Sequence, residues 1–145
     1  MNRNLSFTLH VLTARLDRAA DRLLRAEHDI SYNRFLALTL VGELGASTQR
    51  ALADALGVTE PSVSRMTSVL AADGLLDVRP DPGGGHRRHL SLTDKGRQLV
   101  ASVQQGFEER MTALVAHSGV PYAEYARHTA QLLATLDRAE QERTL

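Results

Sequence analysis

The sequence contains no cysteine and no tryptophan, and aromatic residues make up only 4% of it. The lack of cysteine excludes a disulfide framework, a thiol nucleophile and a cysteine-ligated metal. Leucine, alanine and valine must therefore build the core, which favours helices. No apolar run approaches the roughly 20 residues of a membrane span, and the first residues lack the pattern of a signal peptide. We expect a cytoplasmic protein with no membrane partner.

An excess of charge of one sign is also missing, since 17 basic and 17 acidic residues give a formal net charge of zero. The distribution is less even. Five bases and two histidines stand against two acids between Arg79 and Arg97. Such a stripe is sufficient to contact phosphates on a neutral protein. A solvated loop would have the same composition, so charge alone leaves both interpretations open.

The spacing of apolar residues predicts mainly helices. The predicted helices span about 5–26, 32–44, 49–56, 59–73, 94–117 and 122–142. Strands are predicted over 75–79 and 88–92, on either side of a turn that contains two prolines and three glycines. A helix-turn-helix followed at once by a β-hairpin is a winged helix. We therefore predict a mainly α (α+β) fold, with one chain of 1–145 and a winged helix-turn-helix part over 47–97.

The outer helices carry apolar stripes that one small domain cannot cover. In the last helix, Leu132, Leu133 and Leu136 lie on one face. Burial of such stripes against a second copy is the simplest way to remove them from water. We predict that residues 1–30 and 98–145 are the dimerisation helices of a homodimer.

The second helix of the predicted helix-turn-helix has two chemically different faces. Val63, Met66, Thr67 and Leu70 form one face, and the other carries Pro61, Ser64, Arg65, Ser68 and Ala72. Small residues allow close approach to a major groove, hydroxyls bind bases or phosphates, and arginine can bind guanine through two hydrogen bonds. The helix N-terminus, capped by Thr59, is itself a phosphate site. An ordinary amphipathic helix is the alternative, but the turn at Gly57 and the hairpin argue against it.

Five segments of this region resemble the MarR family of bacterial transcriptional regulators. They are Leu52-Ala53-x-x-Leu56-Gly57-Val58, Ser62-Val63-Ser64-Arg65, Leu70-x-x-x-Gly74-Leu75-Leu76, Arg79-Pro80-Asp81-Pro82 and Leu90-Ser91-Leu92-Thr93-x-x-Gly96. The resemblance implies a transcriptional regulator, expected to be a repressor, that binds double-stranded DNA at a pseudo-palindromic operator as a homodimer. Each recognition helix would lie in a major groove, and each wing would reach an adjacent minor groove.

The resemblance also implies which side chains contact DNA. The expected positions in the helices are Thr48, Gln49, Thr59, Pro61, Ser62, Ser64, Arg65 and Ser68, of which Thr48 and Gln49 are placed against phosphates. The wing departs from the family, because the usual acid and arginine are replaced by Gly84 and His86. We hypothesise that Arg87 or Arg88 substitutes for that arginine, with His86 assisting when protonated. A weaker wing contact to phosphates alone is the alternative.

A pocket for a small aromatic or anionic effector is a further implication of the resemblance. It would lie where the first, second and fifth helices meet the winged part. Its candidate lining residues are His10, Arg15, Tyr32 and Phe35. The alternative is that Arg15 belongs to a solvated face and Phe35 to the core.

Other chemistry has little support in the sequence. The six histidines form no i, i+4 pair and have no dense carboxylate cluster beside them, so we expect no metal and no cofactor. The sequence has no nucleophile elbow, no P-loop, no dinucleotide-binding glycine motif and no zinc-protease motif, so we expect no enzyme. The alternative function is a winged-helix module that binds a protein partner through the face of Ser64 and Arg65.

Overall fold

The computed structural model describes residues 4–43, 45–80, 83 and 88–144. Within this part, the elements follow the predicted order. They are α1 (Leu5–His28), α2 (Tyr32–Glu43), α3 (Gln49–Leu56), α4 (Glu60–Ala72), β1 (Leu76–Pro80), β2 (Arg88–Leu92), α5 (Asp94–Ser118) and α6 (Tyr122–Thr144). The mainly α winged-helix fold is thus confirmed. No described helix is both long enough and apolar enough to cross a membrane.

The chain divides into two compact units, residues 1–103 and residues 104–145. The core of the first unit is built from leucines that come from five different elements. Each is less than 2% exposed, and they are Leu24 of α1, Leu38 of α2, Leu52 of α3, Leu70 of α4 and Leu90 of β2. Five of the twelve residues of α2 are buried, as expected of a central helix. Burial of apolar area is the dominant favourable term in folding, so α2 is the support on which the helix-turn-helix packs.

The hairpin differs from the prediction by one residue at each end of its first strand. Leu75 was predicted to open β1, but its N–H donates to the carbonyl of Leu70 at 3.0 Å and so still closes α4. Pro80 was predicted to lie in the turn, but it pairs with Arg88 in the antiparallel register. Because β1 is an edge strand, the missing N–H of Pro80 is tolerated there.

The C-terminal end of α4 is hydrogen-bonded to the start of α5. The hydroxyl of Thr93 donates to the carbonyl of Gly74 at 2.6 Å and accepts the N–H of Gly96 at 3.0 Å. The ammonium group of Lys95 donates to the carbonyl of Asp73 at 2.8 Å. The residues that end α4 are therefore held directly by those that begin α5.

The second unit contains the rest of α5 and all of α6. The hydroxyl of Tyr122 donates to the carboxylate of Glu108. The described side chains of α6 are exposed. Among them, Leu132, Leu133 and Leu136 are 63%, 60% and 55% exposed. These three leucines form an exposed apolar stripe on α6.

Candidate nucleic-acid interface

The two faces of α4 are as the sequence predicted. Val63, Thr67 and Leu70 are buried in the core. Pro61, Ser64, Arg65 and Ser68 are exposed, and Ser62 is half-buried. The helix therefore presents a narrow strip of small polar groups and one guanidinium to its surroundings.

Hydrogen bonds among Thr59, Ser62 and Arg65 organise the first turn of α4. The Oγ1 atom of Thr59 accepts the N–H of Ser62 at 3.3 Å, and its hydroxyl donates to Ser62 Oγ at 3.0 Å. Arg65 Nη2 also donates to Ser62 Oγ, at 3.4 Å. This contact holds the guanidinium beside the N-terminal turn. Because a guanidinium carries five N–H donors, most of them are left to bind an external acceptor.

The segment before α3 pairs with the wing. The N–H of Leu90 donates to the carbonyl of Ser47 at 2.7 Å, and Thr48 forms an antiparallel bridge with His89. The side chain of Thr48 then caps α3 by accepting the N–H of Ala51 at 3.0 Å. A capping role for Ser47 or Thr48 agrees with the sequence, but the bridge to His89 was not predicted. The predicted phosphate contact of Thr48 stays a prediction.

Gln49 has a partner inside the protein. Its Nε2 donates to the hydroxyl of Thr67 on α4 at 3.0 Å. No periodic signal in the sequence pointed to this contact, because the two residues lie 18 positions apart. The predicted phosphate contact of Gln49 stays a prediction.

A groove of about 490 Å³ lies beside α4 and opens between α3 and the wing. Its lining residues are Thr48, Gln49, Arg50, Ala51, Asp54, Glu60 and Arg88. Arg50 is exposed and was not among the predicted residues, although a basic side chain beside the cap of α3 could have indicated it. Arg50 and Arg88 attract phosphates, whereas Asp54 and Glu60 repel them, so the groove is not uniformly basic.

The sequence matches the MarR family over residues 28–87, from the end of α1 to the hairpin. The HTH-type transcriptional regulator PetP of Rhodobacter capsulatus is 30% identical over 113 residues, which cover 78% of this chain and 65% of PetP. Over this region the chain is similar to the MarR family of transcriptional regulators. It spans slightly less than two thirds of the length of PetP.

Solved structures of MarR-family proteins share the fold. A mutant MarR from E. coli superposes with a TM-score of 0.76 at 20% identity, over 94% of this chain and 98% of that one. MepR from S. aureus, solved as a complex with DNA, superposes with a TM-score of 0.70 at 24% identity, over 95% of this chain and 99% of MepR. The winged helix-turn-helix architecture is therefore that of the family.

The wing tip is where the chain departs from the usual sequence pattern of MarR-family proteins. Arg88 is exposed at the start of β2. Gly84, His86 and Arg87 lie outside the described residues, so the hypothesis that Arg87 or Arg88 replaces the family's arginine stays a prediction.

The four candidate effector residues do not share one depression in the described part of the chain. Tyr32 lines a shallow depression on α1 and the start of α2, together with Asp17, Arg18, Asp21, Arg22, Arg25, Ser31 and Asn33. His10 and Arg15 are exposed elsewhere on α1, and Phe35 is buried in the core of α2. The predicted effector pocket stays a prediction.

The polar groups of that depression pair mainly with one another. Asp21 Oδ1 accepts the N–H of Tyr32 at 2.9 Å, and Asp21 Oδ2 accepts Arg25 Nε at 2.8 Å. These two hydrogen bonds hold the pKa of Asp21 below its ordinary value. Burial, reinforced by the nearby carboxylate of Asp17, raises the pKa of the Tyr32 hydroxyl. Asp21 therefore acts first as a link between α1 and α2.

Among the described residues, no group of three histidine or acidic side chains is placed to hold a metal ion.

Proposed function

We propose that this chain is a sequence-specific DNA-binding repressor that acts as a homodimer on a pseudo-palindromic operator. The observation that carries the proposal is the exposed strip at the start of α4, where Ser62, Ser64 and Arg65 surround a capped helix N-terminus. The dipole of α4 favours an anion at this end. The structure of MepR with DNA, which has the same fold, supports this use of the helix-turn-helix.

The side chains of the strip differ in what they can offer a base edge. Arg65 can donate two parallel hydrogen bonds to a guanine. Ser68 already donates its hydroxyl proton to the carbonyl of Ser64 at 2.8 Å, so its oxygen is left to accept. An acceptor at that position suits the amino group of cytosine or adenine. Beside the strip, the phosphate backbone is proposed to contact Thr48, Thr59 and Pro61. Arg87 or Arg88 of the wing is proposed to enter the minor groove.

The leucine stripe of α6 supports the homodimer, as do the exposed side chains of Leu5 and Phe7 at the start of α1. In a two-fold dimer, each copy supplies one recognition helix to one half-site of the operator. The pseudo-palindromic operator is thus the expected counterpart of a symmetric protein.

Selection of duplexes from a random-sequence library tests the proposal. The wild-type chain should retain a two-fold-related sequence whose half-sites lie about one helical turn apart. Its affinity for this duplex should fall steeply as salt rises, because bound phosphates release counterions. Retention of no preferred duplex at about 150 mM salt would contradict the proposal and favour the protein-partner alternative.

Replacement of Arg65 by alanine should weaken binding to the selected duplex by about 1–3 kcal/mol and should relax the base preference at one position of each half-site. Titration against duplexes that vary at every position measures both effects. Arg127→Ala, on α6, is the matched control and should leave affinity unchanged. An equal loss on every sequence would mean that Arg65 binds only a phosphate.

A further inference from the structure

A chain of hydrogen bonds runs from the start of α3 into the middle of α4. Gln49 Nε2 donates to Thr67 Oγ1 at 3.0 Å, and the hydroxyl of Thr67 donates to the carbonyl of Ser64 at 3.1 Å. Thr67 is 0% exposed, so its hydroxyl cannot reach DNA. The chain of contacts ends on the turn of α4 whose outer side carries Ser64 and Arg65.

The remaining contacts in the buried face of α4 are mainly apolar. Val63 and Leu70 are buried in the same core as Leu52 of α3. Apolar burial is non-directional, and it stabilises a range of rotations of one helix against another. A hydrogen bond depends strongly on distance and angle. The bond between Gln49 and Thr67 therefore restricts the rotation of α4 about its axis, and with it the direction of Arg65.

The backbone immediately before Gln49 is also held by hydrogen bonds. Ser47 and Thr48 pair with β2 of the wing, through the bond from Leu90 to Ser47 and the bridge to His89. Gln49 is the next residue in the chain, and its backbone begins α3. Gln49 thus connects the wing sheet to the recognition helix. The two residues before it pair with β2, and its own side chain is hydrogen-bonded to Thr67 of α4.

We propose that Gln49 is a positioning residue for sequence recognition, which acts on α4 through Thr67, and is not a group that binds a DNA phosphate. The inference rests on the proposed function, because it assigns the orientation of α4 a role in DNA sequence preference. A positioning residue affects discrimination between sequences, whereas a phosphate contact carries no sequence information.

The test uses Gln49→Leu, Thr67→Val and the double variant in the chain of 145 residues. The probes are the duplex that the wild type selects from a random library and a scrambled duplex of the same composition. Each single variant should bind the selected duplex about tenfold more weakly, which corresponds to about 1.4 kcal/mol. The double variant should lose no more than either single variant, and affinity for the scrambled duplex should not change. Thr67→Ser keeps the hydroxyl and should restore the preference.

The controls separate positioning from loss of folding. Asn33→Leu, at an exposed amide of α2, makes a similar chemical change outside the proposed DNA contacts and dimerisation helices, and it should bind both duplexes like the wild type. Circular dichroism on each variant identifies any that does not fold. If Thr67→Val is unfolded, Gln49→Leu, Gln49→Ala and Thr67→Ser still carry the comparison of the two duplexes.

Three outcomes would overturn the inference, and they are distinguishable. Equal weakening of both duplexes by Gln49→Leu would identify a phosphate contact. Wild-type discrimination in a folded Thr67→Val chain would mean that the hydrogen bond does not orient α4. If the wild type itself selects no duplex, the proposed function fails and the inference fails with it.

Discussion

Replacement of Gly96 by alanine should lower the free energy of unfolding by about 2–3 kcal/mol, the upper part of the range for overpacked positions. A Cβ atom at this position would lie 2.1 Å from the carbonyl oxygen of Leu75 and 3.1 Å from its carbonyl carbon. Real atoms do not approach so closely, so one of the two backbones must move. Urea denaturation followed by circular dichroism measures the effect.

The backbone of Leu75 has little freedom to move away. Its N–H donates to Leu70 at 3.0 Å, and its carbonyl accepts the N–H of Thr93 at 3.3 Å. The expected strain therefore falls on the junction between α4 and α5. A shift of that junction would also displace the C-terminal end of the recognition helix.

Gly106→Ala is the matched control, since both glycines lie inside α5. No atom lies within 4 Å of a Cβ built at Gly106. Because alanine has the higher helix propensity, this variant should be more stable by up to about 1 kcal/mol. If Gly96→Ala unfolds at the same urea concentration as the wild type, the close packing of α5 against Leu75 is wrong.

The order of the elements could be predicted because its signals are local. Thr59 marks the start of α4 through its capping oxygen, and Gly74 marks its end through a φ of 74°. The exact bounds of β1 depend instead on non-local pairing. Whether Pro80 belongs to the strand is decided by its pairing with Arg88, and neither residue alone contains that information.

In the candidate site, the sequence predicts which side chains of α4 are buried, but not which contacts a long polar side chain makes. Helical periodicity assigns Val63 to the core and Arg65 to the outer face of α4, since the two positions differ by two residues. It cannot tell whether the amide of Gln49 faces solvent or another helix. A long polar side chain has several rotamers, and only the packed structure selects the one that reaches Thr67.

The effector residues show another limit of prediction from sequence. Arg15 and Tyr32 are compatible with a ligand pocket because of their chemistry, yet chemistry does not place them next to each other. In the structure, Tyr32 faces Asp17 and Asp21, whereas Arg15 is exposed outside that depression. Proximity between α1 and α2 is a property of tertiary packing.

Glutamate at both Leu132 and Leu136 should dissociate the proposed homodimer. Each exposed leucine that a partner covers contributes roughly 1.5–3 kcal/mol through burial. The variant loses both leucines in each copy and places a negative charge at each of these positions. The dimer dissociation constant should therefore rise by at least about 100-fold. Light scattering after size-exclusion chromatography should show the mass of two chains for the wild type and of one chain for the variant.

Gln131→Glu combined with Gln141→Glu is the control, because it adds the same two charges to other faces of α6. This control should stay dimeric. A dimer that resists glutamate at Leu132 and Leu136 would place the interface on other residues, of which Leu5 and Phe7 of α1 are exposed candidates.

The variant with glutamate at Leu132 and Leu136 should also show that dimerisation and DNA contact are separable. The winged part lies within the compact unit of residues 1–103, whereas both substitutions lie in the unit of residues 104–145. The recognition helix should therefore stay folded and keep its affinity for a duplex that carries one half-site. On the complete two-fold duplex, the wild type gains from two linked recognition helices, because the second binds at a high effective concentration. The variant loses that gain, and it should bind the complete duplex and the half-site duplex with nearly equal affinity.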